Sequence, residues 1–185
     1  MKVTYFENLY KSKISVDLAN KYGIKNPHCI PNISKIVLSV GLGKDGNDKK
    51  VIEGVSDELA RITGRKPCFR KSKKAIAGFN LKENQMVGLF VTLRGKIMYE
   101  FLERLVFLAL PRVHDFKGFL DKAFDKRNNF AFGIKDRLIF NELSYDTVVK
   151  NGGLNIMFTI KNADSIEKAV DLLSGFSFPI KKKYG

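Results

Sequence analysis

Apolar residues recur along this chain at two spacings, one typical of helices and the other typical of strands. Over residues 3–22 they return every three or four positions, which predicts a helix with one apolar face. The same spacing predicts three further helices: 48–63, 96–110 and 165–174. β-rich or alternating segments predict strands at six places: 33–40, 66–71, 86–94, 130–134, 137–140 and 154–161.

Residues at the ends of the predicted helices match the known preferences of helix caps. Gly23 and Gly64 each follow a helix and favour the left-handed conformation that ends many helices. Asp48 is placed to cap the start of the second helix. Asp164 is placed to cap the start of the last one, with Glu167 three residues later as in a capping box.

The strand predicted at 86–94 separates its side chains into two rows. The row expected to face the core contains Val87, Leu89, Val91 and Leu93. The outward row contains Gly88, Phe90, Thr92 and Arg94. With the order of elements, this predicts an α+β sandwich: a mixed or largely antiparallel sheet with helices packed on one face and the other face open.

The whole chain, residues 1–185, is expected to form a single domain. No repeat or low-complexity linker divides it. Its distinctive parts would be the N-terminal helix 3–22, a basic loop 72–84, an irregular region 112–146 and a basic tail 176–185.

Positive charge dominates the composition. The chain has 33 Lys and Arg against 19 Asp and Glu, which gives a net charge of +14. Such a surplus on a folded domain is typical of proteins that bind nucleic acid or an anionic membrane. No apolar run approaches the roughly 18 residues of a membrane span, and the N-terminus lacks the apolar stretch of a secretory signal. We therefore expect a nucleic-acid partner and a cytosol-like compartment.

The densest positive charge lies in the segment 61–82, which we call the basic segment. It has no Asp or Glu and contains Arg61, Arg65, Lys66, Arg70, Lys71, Lys73, Lys74 and Lys82. A merely solvated surface normally mixes both signs, because like charges repel each other. With Gly78 and Phe79 among them, these cations are expected to bind phosphates, and the ring is available for stacking.

The outward row of strand 86–94 places an aromatic ring, a hydroxyl and a guanidinium on one sheet face. Phe90, Thr92 and Arg94 therefore suit the sugar edges and phosphates of RNA. The alternative for Phe90 is burial under the helix 3–22, and this alternative applies less to Arg94.

One motif points to a different class of protein. Residues 41–46 match the GxGxxG fingerprint of dinucleotide-binding folds, between a strand and a helix. Asp45 and Asp48 would repel a pyrophosphate at that helix N-terminus. Arg70 and Lys71 end the next strand, where an acidic residue is expected, although an arginine there could favour a phosphorylated cofactor. A nucleotide-dependent enzyme thus stays as an alternative to an ordinary turn.

Histidine and cysteine are scarce in this chain. His28, His114, Cys29 and Cys68 have neither zinc-site spacing nor the arrangement of a catalytic set, and the thiols are expected to be free. We expect no metal, no cofactor and no catalytic residue, so the chain should not be an enzyme. A structural RNA-binding protein and a free RNA chaperone are the two binding hypotheses.

Six strings of residues, in order along the chain, resemble one known family. They are ITGRKP (62–67), KSKKAIAGF (71–79), VTLRGKIMYEFLERL (91–105), ALPRVHDFKG (109–118), FGIKD (132–136) and LSYD (143–146). The family is that of the universal 5S-RNA-binding protein of the large ribosomal subunit, number five in the large-subunit series, in its bacterial or organellar form. Weaker similarity covers nearly the whole chain.

The resemblance implies a monomer within the large subunit of a cytoplasmic or organellar ribosome. Its concave sheet would attach 5S RNA to the large rRNA in the central protuberance, with 5S contacts at Ser39, Arg65, Thr92 and Arg94. The basic loop would contact peptidyl-site transfer RNA and large rRNA through Lys71, Lys73, Lys74, Gly78, Phe79 and Lys82. The irregular region would face small-subunit head protein thirteen, with further contacts at Arg112, His114 and Lys117.

The sequence departs from the family's pattern at six positions, which bear on single contacts. Two lie among the implied 5S contacts, where Ser39 replaces a usual Asn and Arg65 a usual Gln. The other four are Asn80 for a basic residue, Asn84 and Asn128 for Gly, and His114 for Arg.

Overall fold

The computed structural model contains an open five-stranded antiparallel sheet with helices, which confirms the predicted α+β class. It describes residues 4–46, 48–113, 116, 118–119, 123–145, 148 and 152–181. The strands are β1 Asn32–Gly41, β2 Cys68–Lys71, β3 Met86–Leu93, β4 Phe130–Ile134 and β5 Leu154–Lys161. Their order across the sheet is β2-β3-β1-β5-β4.

The helices lie close to the predicted positions. In the described part of the chain, the α-helices are α1 Tyr5–Leu9, α2 Ser15–Tyr22, α3 Lys49–Thr63, α4 Gly95–Arg104 and α5 Ile166–Gly175. A π-helical turn, Tyr10–Ile14, joins α1 to α2 within the predicted helix 3–22. A second one, Leu105–Ala109, extends α4 toward the 3₁₀ turn Leu110–Arg112.

Most of the predicted helix caps are confirmed. Gly23 and Gly64 end α2 and α3 in the left-handed conformation, with φ of 62° and 67°. The Asp48 side chain accepts a hydrogen bond from the backbone of the second residue of α3. At α5 the prediction is wrong by one residue, because Ser165 caps the helix and Asp164 instead forms an ion pair with the Lys168 side chain at 3.1 Å.

The strand predicted at 137–140 is also wrong. Arg137–Ile139 forms a 3₁₀ turn that begins at Asp136, whose side chain accepts a hydrogen bond from the Leu138 backbone. The Arg137 side chain is buried, and its guanidinium lies 2.9 Å from a carboxylate oxygen of Glu58. This contact with a distant part of the chain favours the turn over the extended backbone that a short apolar run suggests.

Backbone contacts divide the chain into two compact units, of which the first comprises Met1–Ile36, Leu93–Phe132 and Met157–Gly185. Aromatic rings dominate its core. The Phe130 ring contacts those of Phe119, Phe132, Phe158 and Phe178, with centroids 5.3 to 5.8 Å apart. Tilted and edge-to-face pairs at these distances contribute beyond the apolar area that they bury. Many of the phenylalanines are therefore core residues.

The second unit comprises Val37–Thr92 and Gly133–Ile156. Its apolar core includes buried residues of β1, β3 and the inner face of α3. A cavity of about 60 Å³ remains between β1 and α3, beside Arg137. In this unit the helix α3 therefore covers the buried face of the sheet.

Candidate nucleic-acid interface

Exposure alternates along β1 and β3, so the sheet of the second unit has one buried and one accessible face. The buried residues of β3 are Leu89, Val91 and Leu93. Phe90 and Thr92 alternate with them and are partly exposed, and so is Ser39 between two buried residues of β1. We call the side that bears Ser39, Phe90 and Thr92 the open face. Two predicted contacts, Ser39 and Thr92, thus share one accessible face of neighbouring strands.

The two rows of β3 differ from the prediction at one position. Val87 was expected in the core row, but it is 38% exposed. It lies near the start of β3, where a register shift between Arg70 and Lys71 interrupts the regular pairing with β2. Full burial of Phe90, the alternative considered above, is not observed.

The two predicted arginine contacts are both exposed. Arg65 follows the left-handed Gly64 at the end of α3, and its backbone N–H donates to the Thr63 hydroxyl oxygen at 3.2 Å. Arg94 follows β3 with extended backbone angles and precedes α4 in the first unit. The end of a helix thus fixes the backbone at Arg65, and the end of a strand fixes it at Arg94. Both side chains remain accessible.

The basic segment presents its positive charges to solvent. All eight of its basic residues are exposed. Within the described residues, no ion pair to Asp or Glu involves any of them. Uncompensated cations on an accessible surface attract phosphate groups. Their binding releases the counterions that neutralise the phosphates of the free nucleic acid.

The basic loop, 72–84, is built as a hairpin between β2 and β3. At its base, the Ser72 backbone N–H donates to the carbonyl of Gln85 at 2.8 Å. Near its tip, Ile76 and Leu81 exchange two backbone hydrogen bonds of 2.9 and 3.2 Å. Phe79 lies between them in the sequence and is 81% exposed. The backbone therefore presents an uncovered aromatic ring at the end of a basic hairpin.

Three of the six departures from the family's pattern share one backbone property. Asn80, Asn84 and Asn128 have φ of 51°, 61° and 60°. Asn tolerates this left-handed conformation better than most residues with a side chain, since its amide can bond locally. Asn84 and Asn128 therefore adopt a left-handed backbone conformation that glycine, the family's usual residue at both positions, adopts freely.

The GxGxxG turn has a structural explanation in this fold. A Cβ at Gly46 would lie 1.9 Å from the backbone oxygen of Met86, so only glycine allows this approach to β3. Gly43 adopts a left-handed φ of 56°. The Asp48 carboxylate already accepts a backbone N–H at the start of α3. An anion would meet that carboxylate, which argues against a pyrophosphate site there.

The remaining candidate residues are only partly described. Arg112 is exposed at the end of the 3₁₀ turn that follows α4. His114, Lys117 and the end of the basic tail lie outside the described residues. Cys29 and Cys68 are free thiols, as predicted.

Two other kinds of site are absent from the part of the chain that the structure describes. Among the described residues, no group of three His, Cys, Asp or Glu side chains could hold a metal ion. Nor does that part of the chain include a helix long and apolar enough to cross a membrane.

Sequence reasoning missed one contact on the open face. The Arg70 guanidinium carbon lies 4.4 Å from the centroid of the Phe90 ring, within the range of a cation–π interaction. Antiparallel pairing of the two predicted strands could have suggested it. The register between β2 and β3 was needed to place the two side chains side by side.

Family comparisons cover most of the chain. The family model described as "Ribosomal protein L5" matches residues 26–82, and the model of the C-terminus of the same ribosomal family matches residues 86–180. A protein of Variovorax paradoxus called "Large ribosomal subunit protein uL5" is 49% identical over 172 residues, which cover 93% of this chain and 96% of that protein. Proteins of the same name from Bordetella avium and Polynucleobacter asymbioticus are 48% and 46% identical, covering 95% and 96% of this chain and 97% and 98% of theirs.

Proposed function

Because the chain belongs to the ribosomal protein L5 family, we propose that it binds 5S ribosomal RNA through the open face of its sheet and attaches it to the large rRNA in the central protuberance. Membership makes it a structural, non-enzymatic protein of the large ribosomal subunit, of the bacterial type, located on ribosomes in the cytoplasm. Beyond membership, we propose which RNAs the chain contacts and which of its residues make the contacts.

The observation that carries the 5S proposal is the open face itself. Ser39 and Thr92 place hydroxyl groups on an accessible sheet surface whose opposite side is packed. Hydroxyls suit the sugar edges of RNA, and the exposed guanidinium groups of Arg65 and Arg94 suit its phosphates. A net charge of +14 supplies the long-range attraction that a polyanion requires.

The basic loop forms a second RNA-binding element in this proposal, toward peptidyl-site transfer RNA and large rRNA. Its candidate contacts are Lys71, Lys73, Lys74, Gly78, Phe79 and Lys82. A Cβ at Gly78 would meet no atom within 4 Å, so glycine there leaves room for an approaching molecule. The exposed Phe79 ring can stack on a base.

A third contact is proposed toward the small-subunit head and its protein thirteen. Arg112 is exposed and available for it. The family resemblance implies further contacts in the same region at His114 and Lys117. The chain acts as a monomer within the ribosome.

The experiment separates the open face from the basic loop. We expect Lys73→Ala with Lys74→Ala to leave 5S binding within about 1 kcal/mol of the wild type, because distant sites are nearly additive. Retention of transfer RNA in the peptidyl site of purified ribosomes should fall, with a shallower salt dependence, because phosphate contacts are lost. Both quantities are measured on the same double variant.

Two further variants complete the design. Lys49→Ala with Lys50→Ala removes the same charge from the exposed start of α3 and should change neither quantity. Gly78→Val should leave folding intact, since its Cβ meets open space, while reducing transfer-RNA retention. If 5S binding collapses in the loop variant while transfer-RNA retention is unchanged, the assignment of the two surfaces is wrong.

A further inference from the structure

The pairing of β2 with β3 places on the open face one arginine, Arg70, that is not among the proposed 5S contacts. The two strands are antiparallel, with Cys68 opposite Phe90 and Arg70 opposite Gly88. Residues directly opposite each other point to the same side of a sheet, and diagonal neighbours remain within reach of long side chains. Arg70 and Phe90 are such diagonal neighbours, and Thr92 continues the same row of β3.

The Arg70 side chain is held against the sheet but remains accessible. Its guanidinium carbon lies 4.4 Å from the Phe90 ring centroid, and the residue is exposed. In the described part of the chain, it forms no ion pair with an acidic side chain. Gly88, opposite Arg70, has no side chain, so bare backbone lies beside the pair.

We infer that Arg70 and Phe90 together form a stacking platform for an unpaired base of the bound RNA. The Phe90 ring orients the guanidinium, whose planar outer surface stacks on the base while its N–H groups stay free for phosphate or base edges. This inference rests on the proposed function and adds a residue pair that contacts the RNA base. Lysine could not replace Arg70 in this role, because a compact ammonium has no planar surface.

The competing explanation is purely structural. A cation–π contact between neighbouring strands could simply support their pairing. In that case, changes at Arg70 and Phe90 would alter unfolding of the protein and leave RNA affinity unchanged. Two conservative substitutions distinguish these explanations. Arg70→Lys keeps the charge and removes the plane, while Phe90→Leu keeps apolar volume and removes the ring.

The experiment measures the affinity of the full chain for a 5S rRNA transcript over a series of salt concentrations. Each single variant should bind about tenfold more weakly, as expected for loss of one stacked base. The double variant should bind no more weakly than either single one, because the two side chains form one platform. The slope of log K against log salt should not change in Arg70→Lys, because the charge is retained.

Three further measurements serve as controls. Arg127→Lys makes the same substitution at an exposed position of the first unit that has no proposed RNA contact, and it should bind as the wild type does. Circular dichroism and the unfolding midpoint of each variant establish that it is folded, and if one variant does not fold, the other still tests the platform. Arg94→Ala reports on the proposed function independently.

The outcomes separate the two proposals. Wild-type affinity in both Arg70→Lys and Phe90→Leu, with weaker binding in Arg94→Ala, would overturn the platform and leave the proposed function standing. Retained affinity in Arg70→Lys with loss only in Phe90→Leu would also overturn it, since a charge alone would then suffice at residue 70. If the wild-type chain binds 5S rRNA no better than an unrelated RNA of equal length, the proposed function fails and the platform with it.

Discussion

The buried ion pair of the second unit provides a quantitative test of what stabilises the unit that bears most of the open face. The Arg137 guanidinium, in the 3₁₀ turn after β4, lies 2.9 Å from a carboxylate oxygen of Glu58 in α3, and the two side chains are 3% and 2% exposed. The substitution to examine is Glu58→Gln. It keeps the size of the side chain and removes the negative charge beside the buried guanidinium.

The structure predicts a large effect. Removing one partner of a buried pair costs about 3–5 kcal/mol, because the remaining charge stays desolvated. Gln keeps an acceptor oxygen, so we expect the lower end, about 3 kcal/mol. That is a substantial part of the about 5–15 kcal/mol that stabilise a typical domain. Replacing both residues, Glu58→Leu with Arg137→Met, should restore much of the loss, since neither charge then remains buried.

Urea unfolding of the free protein measures this effect as a lower midpoint at an unchanged m-value. Glu53→Gln, on the exposed side of the same helix, is the matched control and should change the unfolding free energy by less than about 0.5 kcal/mol. Affinity of the folded variant for 5S RNA should stay near the wild-type value. If Glu58→Gln is no less stable than Glu53→Gln, the argument from desolvation is refuted.

Because φ at Asn84 is 61°, we expect Asn84→Gly to leave the thermal midpoint nearly unchanged and Asn84→Ala to lower the unfolding free energy by about 1 kcal/mol. Equal midpoints for the two variants would contradict the backbone argument. Gly46→Ala should destabilise the protein by about 1–3 kcal/mol, because its Cβ would clash with the Met86 carbonyl, whereas Gly41→Ala has open space at its Cβ and should not. Equal unfolding free energies for the two variants in chemical unfolding would refute this. Calorimetry with NAD, NADP and ATP should detect no micromolar binding, because the Asp48 carboxylate lies at the helix N-terminus, and a micromolar isotherm with any of them would count against that reasoning.

Long periodic segments could be predicted from sequence, because burial of one face imposes a regular spacing. The strand predicted at 154–161 matches β5 Leu154–Lys161, and the helix predicted at 48–63 begins one residue later, after its Asp48 cap. The α5 cap could not be assigned, since Asp164 and Ser165 are both good caps and only the folded backbone selects one.

Features that depend on distant partners could not be read from local patterns. The turn at Arg137 depends on Glu58, which is far away in the sequence. The Arg70–Phe90 contact depends on a strand register, and the buried row of β3 loses Val87 at a register shift. On the open face, alternation alone correctly predicted accessible positions for Phe90 and Thr92. The 5S roles of Ser39 and Arg65 were predicted from the family resemblance, and the structure leaves both residues accessible as well.

The most direct test of the account is a competition measurement of 5S rRNA binding at physiological salt, with the wild-type chain and Arg94→Ala. We expect the wild type to prefer 5S rRNA over an unrelated RNA of equal length. Arg94→Ala should weaken 5S binding by about 1–3 kcal/mol, because a charge-assisted contact is lost. An Arg94→Ala protein that folds normally and binds 5S rRNA as tightly as the wild type would remove Arg94 from the 5S contacts. Equal affinity of the wild type for both RNAs would contradict the assignment of the open face to 5S RNA.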